Sequence, residues 1–108
     1  MLLCGHSLKV GMDVFGAAVR DRMAGHPASI TIERDDGYLD VDDLGSYFST
    51  FDAFPDCERR ALALAKGRVL DLGLGPGRVS LSLQERGLET VGVDLSDGML
   101  EVARRRGV

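Results

Sequence analysis

The feature that most constrains the fold is a glycine-rich stretch, residues 73–77 (Gly-Leu-Gly-Pro-Gly), between an apolar run and a helical pattern. The run before it, residues 69–72, is typical of a buried strand, and the helical pattern ends near Gly87. A second apolar run, residues 90–93, then ends on Asp94. Strand, glycine loop, helix, strand and terminal acid follow in the order of a βαβ unit, which predicts an α/β fold with parallel strands.

The residue types of this unit also indicate a ligand. Glycines at alternate positions let the backbone turn tightly and approach a bound molecule, and a helix start favours negative charge. A carboxylate at the end of the second strand, here Asp94, can accept hydrogen bonds from both hydroxyls of a ribose. A glycine loop taken alone can equally be a tight structural turn, so the argument depends on the whole unit.

Two ligands compete for such a unit, a nicotinamide dinucleotide and S-adenosylmethionine. The dinucleotide pattern needs a third glycine for helix packing beside the pyrophosphate, and Arg78 lies there instead. Asp71, two residues before the first glycine, suits a cationic ammonium group, which it can contact directly or through water. S-adenosylmethionine carries both an ammonium group and a ribose, so these residues favour it.

Residues 69–77 resemble the first motif of class I S-adenosylmethionine-dependent methyltransferases, and residues 91–94 (Val-Gly-Val-Asp) resemble the next one. The resemblance covers roughly residues 67–108. It implies that Asp71 serves the methionine amino group, that Asp94 holds the ribose hydroxyls and that Leu95 packs on adenine. The loop residues that it assigns to cofactor binding are Gly73, Leu74, Gly75 and Gly77, of which the first three wrap the methionine moiety.

The resemblance implies an incomplete Rossmann-like, doubly wound parallel sheet, consisting of the first two strands and their flanking helices. About five more strands are expected in this fold, together with the acceptor-binding residues, and we expect them beyond Val108. Residues 55–108 are then the N-terminal half of the cofactor-binding domain. A chain with this share of the fold is expected to be inactive alone and to bind the cofactor no better than about millimolar.

Residues 1–54 are interpreted as a leader that covers the cofactor cleft. A helix is predicted over residues 13–23, with Val14, Ala17, Ala18 and Met23 as its apolar residues, and a small β-hairpin over residues 29–41. Residues 33–38 and 47–48 weakly resemble the leader of some bacterial small-molecule methyltransferases. The six acidic residues between positions 33 and 43 indicate a solvated turn region rather than a metal site. Four aromatic residues indicate a packing plug or lid: Tyr47, Phe48, Phe51 and Phe54.

Composition excludes several classes of partner. The formal net charge of −4 disfavours binding to a nucleic-acid backbone, and no apolar run is long enough to cross a membrane. A cytoplasmic location is the expectation by default. Neither the cysteines, Cys4 and Cys57, nor the histidines, His6 and His26, have the spacing of a disulfide framework or metal site.

We expect that the natural chain starts at Met12, where the leader resemblance begins. The alternative is a disordered tail over the first residues. The arginines of residues 104–106 are interpreted as favourable charge in the last turn of a final helix, capped by Ser96 and closed by Gly107.

The function favoured by the sequence is methyl transfer from S-adenosylmethionine to a small-molecule acceptor. No catalytic residue can be named from these positions. Two alternatives remain open. The chain is then either a fragment of an NAD-dependent dehydrogenase or a truncated binding module that catalyses no reaction. Oligomeric state is not indicated by any motif.

Overall fold

The computed structural model describes residues 3–4 and 13–108, with side chains for residues 13–108. The expected start at Met12 and the interpretation of His6 fall outside these residues. The α-helices are α1 (Val14–Met23), α2 (Asp56–Ala63), α3 (Arg78–Glu85) and α4 (Asp97–Arg106). The strands are β1 (Leu3–Cys4), β2 (Ile30–Glu33), β3 (Leu39–Asp42), β4 (Arg68–Leu72) and β5 (Glu89–Val93), and two 3₁₀ helices span Gly45–Phe48 and Phe51–Ala53.

A parallel sheet forms the centre of the fold. Strands β4 and β5 pair in parallel, with Leu70 opposite Val91 and Leu72 opposite Val93. The short strand β1 pairs in parallel with the other edge of β5, which gives the order β1-β5-β4. The predicted α/β class is thus confirmed, and β1 adds a third strand where the sequence predicted two, because two residues are too few to show a strand pattern.

One face of this sheet is covered by helices. Thr90 and Gly92 of β5 are buried, and Leu74, Leu100 and Ala103 form a core cluster beside them. The opposite face of β4 is open in the described part of the chain, since Leu70 is 59% and Leu72 is 73% exposed. Parallel strands normally have both faces covered, so this exposed apolar surface is of the kind that packs against another element.

Helices α1 and α4 cross at two glycines. A Cβ atom built on Gly98 would lie 2.6 Å from the backbone of Gly16, so neither helix could approach as closely with a side chain there. The buried residues of α1 are Gly16 and Val19, whereas Val14 is 54% exposed. The predicted helix is present, and of its apolar residues Ala18 packs against the core. The closest contact with α4 is made by Gly16, because close helix contact selects the smallest residue and not the most apolar one.

The predicted hairpin is present as the antiparallel pair β2 and β3. Acidic side chains at the end of β3 accept backbone N–H groups, with Asp42 Oδ1 at 2.7 Å from the Leu44 nitrogen and Asp43 Oδ1 at 2.9 Å from the Gly45 nitrogen. The acidic run therefore shapes turns. Leu44 adopts a left-handed conformation with φ of 64° and is fully buried against Val19, Met99 and other core residues.

The four clustered aromatic residues contribute to packing, as predicted. Phe54 is 3% exposed and meets Phe51 edge to face, with ring centroids 5.7 Å apart. The ring of Tyr47 lies 6.4 Å from that of Phe15 in α1. Tyr47 and Phe48 also pack against a core cluster that includes Met99 and Val102 of α4, which connects the leader to the rest of the molecule.

Candidate functional site

The glycine loop, residues 73–77, connects β4 to α3 at the carboxyl end of the parallel sheet. The backbone N–H groups of Gly73 and Leu74 both donate to the carbonyl oxygen of Val93, each at 2.9 Å. Gly73 and Gly75 have φ of 73° and 57°, and a Cβ atom on either would meet nothing within 4 Å. The loop is therefore fixed to β5 on one side and leaves open space on the other, as a binding loop requires.

Asp94 fixes the loop from the end of β5. Its Oδ2 atom accepts from the Gly75 nitrogen at 2.7 Å, and its Oδ1 atom accepts from the Ser96 nitrogen at 2.9 Å. A carboxylate offers about four acceptor positions, so each oxygen retains capacity for a further donor. The side chain is partly exposed and thus accessible to a ligand in the open space.

Asp71 lies on β4 below the loop, partly buried. Its Oδ2 atom accepts from the hydroxyl of Ser80 in α3 at 2.8 Å. Desolvation by burial raises the pKa of Asp71 above its usual value, and the nearby charge of Asp94 acts in the same direction, against the Ser80 hydrogen bonds and Arg78. A cationic ligand group beside Asp71 would offset this cost of burying the carboxylate charge.

The other predicted site residues differ in what they present. Leu74 is 4% exposed, and its side chain packs against Gly92, where any Cβ atom would collide with it. Leu74 can therefore contact a ligand only through its backbone. Leu95, immediately after Asp94, is 76% exposed and offers an apolar surface at the edge of the site.

The back of the loop is supported by the end of α4. The Arg106 guanidinium donates to the Pro76 carbonyl oxygen at 2.8 Å and lies 5.0 Å from the centre of the Phe48 ring. Gly77 packs against Val108 so closely that a Cβ atom there would collide with the valine side chain. Burial lowers the pKa of Arg106, which remains a cation at neutral pH.

Sequence reasoning found the residues on the ligand side of the site and missed those behind it. Ser80 and Arg106 carried no local signal, since serine in a helix and arginine in a last turn are ordinary. The sequence indicates only helix-end charge for Arg106, whereas its guanidinium also holds the loop through the Pro76 carbonyl. Asp13, at the start of α1, was missed as part of the site for the same reason, since an aspartate before a helix is ordinary.

The side chain of Arg78, at the position where a dinucleotide site needs glycine, is held by two contacts. Its guanidinium forms an ion pair with Glu58 at 2.7 Å and lies 4.5 Å from the centre of the Phe54 ring.

No group of three or more His, Cys, Asp or Glu residues is placed to hold a metal ion in the described ranges. Among the helices that the structure describes, none is long and apolar enough to cross a bilayer.

Comparison with known proteins supports the resemblance seen in the sequence. Residues 69–108 match a family model described as a methyltransferase domain. The structure superposes on a crystal structure of an S-adenosylmethionine-dependent methyltransferase from Bacteroides fragilis in complex with S-adenosylhomocysteine, with a TM-score of 0.75 and 34% identity. That match covers 89% of this chain and 40% of the other. The chain therefore has the Rossmann-like fold of class I S-adenosylmethionine-dependent methyltransferases, which confirms the resemblance seen in the sequence.

Several curated methyltransferases are similar to parts of the chain. The chain is 49% identical over 41 residues to the putative methyltransferase YqeM of Bacillus subtilis, covering 38% of this chain and 17% of that protein. It is 44% identical over 70 residues to the demethylmenaquinone methyltransferase of Thermus thermophilus, covering 59% and 32%. A ubiquinone biosynthesis O-methyltransferase of Hahella chejuensis is 46% identical over 46 residues, covering 43% and 19%. The chain thus spans at most about a third of the length of these curated relatives.

Proposed function

We propose that this chain binds S-adenosylmethionine at the glycine loop, and that the protein to which it belongs transfers the methyl group to a small-molecule acceptor. The observation that carries the proposal is the pair of carboxylates beside the loop. Asp71 lies on β4, Asp94 immediately follows the adjacent parallel strand β5, and Asp94 is bonded to the loop itself at Gly75. An ammonium group and a ribose on one ligand match this pair.

The residues present fit this cofactor. Asp71 carries a partly buried negative charge that a cation would compensate. The open space at Gly73 and Gly75 admits a ligand against the backbone. The exposed side chain of Leu95 offers an apolar surface of the kind on which an adenine ring packs.

Each residue then has a proposed part. Asp71 receives the methionine ammonium group, and Asp94 receives the ribose hydroxyls with the acceptor capacity that its bonds to Gly75 and Ser96 leave. Leu95 packs on adenine. The loop residues Gly73, Leu74 and Gly75 surround the methionine moiety, with Leu74 contributing only its backbone because its side chain is in the core. Gly77 supports cofactor binding from behind, where it lets the loop pack closely against Val108.

The bound cofactor supplies a methyl group that its sulfonium has already activated. The residues of this chain bind and orient it, and orientation alone can lower a barrier by several kcal/mol, on the order of 7 for well-aligned reactants. We assign residues 55–108 to this binding unit and residues 1–54 to a leader that covers it. Relatives named for demethylmenaquinone and ubiquinone biosynthesis support a small-molecule acceptor. The cytoplasmic location remains a prediction from the sequence.

Calorimetric titration with S-adenosylmethionine and, separately, with NAD tests the proposal. We expect heat of binding from the former and none from the latter at the same concentration, because Arg78 is held at the position where a pyrophosphate site needs glycine. Asp94→Ala should weaken binding by roughly 1.5–3 kcal/mol, the cost of losing hydrogen bonds to a charged group. Asp36→Ala, in the exposed hairpin turn, is the matched control. Binding of NAD alone would contradict the proposal.

A further inference from the structure

Asp13 joins the starts of two helices. Its carboxylate accepts from the Gly16 nitrogen at 2.9 Å, which caps its own helix α1, and from the Gly98 nitrogen in the first turn of α4, also at 2.9 Å. The hydroxyl of Ser96 donates to the same carboxylate, with both oxygens at 2.8 Å. Only an acceptor with two oxygens can hold all three donors at once.

Ser96 passes this anchoring on to the binding site. Its hydroxyl oxygen accepts from the Met99 nitrogen at 3.0 Å and so caps α4, while its backbone nitrogen donates to Asp94 Oδ1 at 2.9 Å. Asp94 in turn accepts from the Gly75 nitrogen through its other oxygen, at 2.7 Å. A continuous series of hydrogen bonds therefore runs from Asp13 through Ser96 and Asp94 to the glycine loop.

We propose that Asp13 is a positioning residue for the cofactor site, which holds the Asp94 carboxylate in the orientation that receives the ribose. The inference rests on the proposed function, since it concerns the grip on that cofactor. The leader thereby sets the geometry of the site from behind, in addition to covering it. Supporting bonds of this kind hold a ligand-binding side chain in its productive rotamer.

Two further observations describe the surroundings of Asp13, namely the balance of effects on its carboxylate and a second contact between α1 and α4. Partial burial raises the pKa of Asp13, but the hydrogen bonds from Gly98, Ser96 and Gly16, with the charge of Arg20, outweigh it and lower the pKa below its usual value. Elsewhere along the same helix pair, Arg20 and Glu101 form an exposed ion pair at 3.2 Å. That pair joins the same two helices and supplies none of the hydrogen bonds that lead to the loop, so removing Arg20 changes the charge near Asp13 but leaves those bonds in place.

Three variants of the chain separate the roles of Asp13. Asp13→Ser keeps a good cap for α1 but is too short to hold Ser96 and Gly98 together, Asp13→Ala loses both functions, and Arg20→Ala is the control. We expect Asp13→Ser to unfold at a higher denaturant concentration than Asp13→Ala. If Asp13→Ser restores the stability that Asp13→Ala loses but does not restore the bond between Asp94 and Gly75, then Asp13 positions the site in addition to capping α1.

The first measurement needs no ligand. Hydrogen exchange of the Gly75 amide, followed by NMR, reports the bond to Asp94. We expect faster exchange at Gly75 in Asp13→Ser and wild-type exchange in Arg20→Ala. If Gly75 exchanges at the wild-type rate in Asp13→Ser, the inference is wrong, whether or not the chain binds the cofactor.

The second measurement uses S-adenosylhomocysteine and its 2′-deoxy analogue as probes. The initial slope of the amide shifts against ligand concentration gives relative affinities even where binding is weak. Asp13→Ser should lower the affinity for S-adenosylhomocysteine about fivefold, the factor for a hydrogen bond of roughly 1 kcal/mol. It should also reduce the preference over the deoxy analogue, whereas Arg20→Ala keeps both values.

The outcomes distinguish the two proposals. Absence of any shift with S-adenosylhomocysteine in the wild-type chain contradicts the proposed function, and the Gly75 exchange rate then decides the role of Asp13 alone. Binding by Asp13→Ser with wild-type affinity and wild-type preference for the ribose hydroxyl overturns the inference and leaves the proposed function standing.

Discussion

Asp71→Asn should leave the stability of the chain nearly unchanged and weaken cofactor binding. Asparagine keeps the shape of the side chain and an oxygen that can accept the Ser80 hydroxyl, 2.8 Å away in the wild type. The substitution removes the buried charge, whose desolvation raises the pKa of Asp71. It also turns a hydrogen bond to a charged acceptor into a neutral one, which is weaker by about 0.5–1.5 kcal/mol. Because these effects oppose each other, we expect the free energy of unfolding to change by less than about 1 kcal/mol.

Binding should fall much further, because an ammonium group loses its charged partner. The expected loss is about 1.5–3 kcal/mol, or roughly tenfold to a hundredfold in affinity. Urea denaturation and a titration with S-adenosylhomocysteine measure the two quantities on one sample. Asp21→Asn, on the exposed surface of α1, is the control for a change of net charge.

The same variant gives a pH test. The raised pKa of Asp71 means that the folded state binds the proton of this carboxyl more tightly than the unfolded state does. Its contribution to the free energy of unfolding is therefore lost as pH rises from the ordinary pKa to the raised one. The stability of Asp71→Asn relative to wild type should therefore increase with pH across that acidic window, and wild-type cofactor affinity should increase with it. A loss of several kcal/mol of stability together with unchanged binding would refute this reasoning.

Three other substitutions test the packing that supports the site, each by urea denaturation. Gly98→Ala should destabilise the chain by about 1–3 kcal/mol despite its better helix propensity, because the new Cβ atom would lie 2.6 Å from the Gly16 backbone; a gain in stability would contradict the close crossing. Arg106→Ala should cost about 1–2 kcal/mol through its lost hydrogen bond and ring contact, while the exposed Arg104→Ala stays within about 0.5; equal effects would rule out the loop support. Leu44→Ala should cost about 2–5 kcal/mol because Leu44 is fully buried, and a loss below 1 kcal/mol would argue against that burial.

The cofactor-binding unit was predictable because its signals are local. The glycine loop, the two strands beside it and the Ser96 cap of α4 each depend on residues close together in sequence. The hairpin and the aromatic plug followed from equally local patterns. Their bounds in the structure lie within a residue or two of the prediction.

The supporting contacts were not predictable, because they join residues far apart in the chain. The carboxylate of Asp13 meets Ser96 and Gly98 across more than 80 residues, and no periodicity encodes such a pairing. The crossing of α1 and α4 was not predictable either, since it depends on a glycine of each helix. The left-handed conformation of Leu44 also had no sequence signal, because that conformation favours glycine or asparagine.

The central claim is that S-adenosylmethionine binds at the loop between Asp71 and Asp94. The most direct measurement is a map of backbone amide shifts in the ¹⁵N-labelled chain on addition of S-adenosylhomocysteine, with NAD at equal concentration as the comparison. The account predicts that shifts with S-adenosylhomocysteine concentrate at Gly73, Gly75 and Leu95 and are small with NAD. Shifts confined to the leader hairpin, or larger shifts at the loop with NAD, would contradict it.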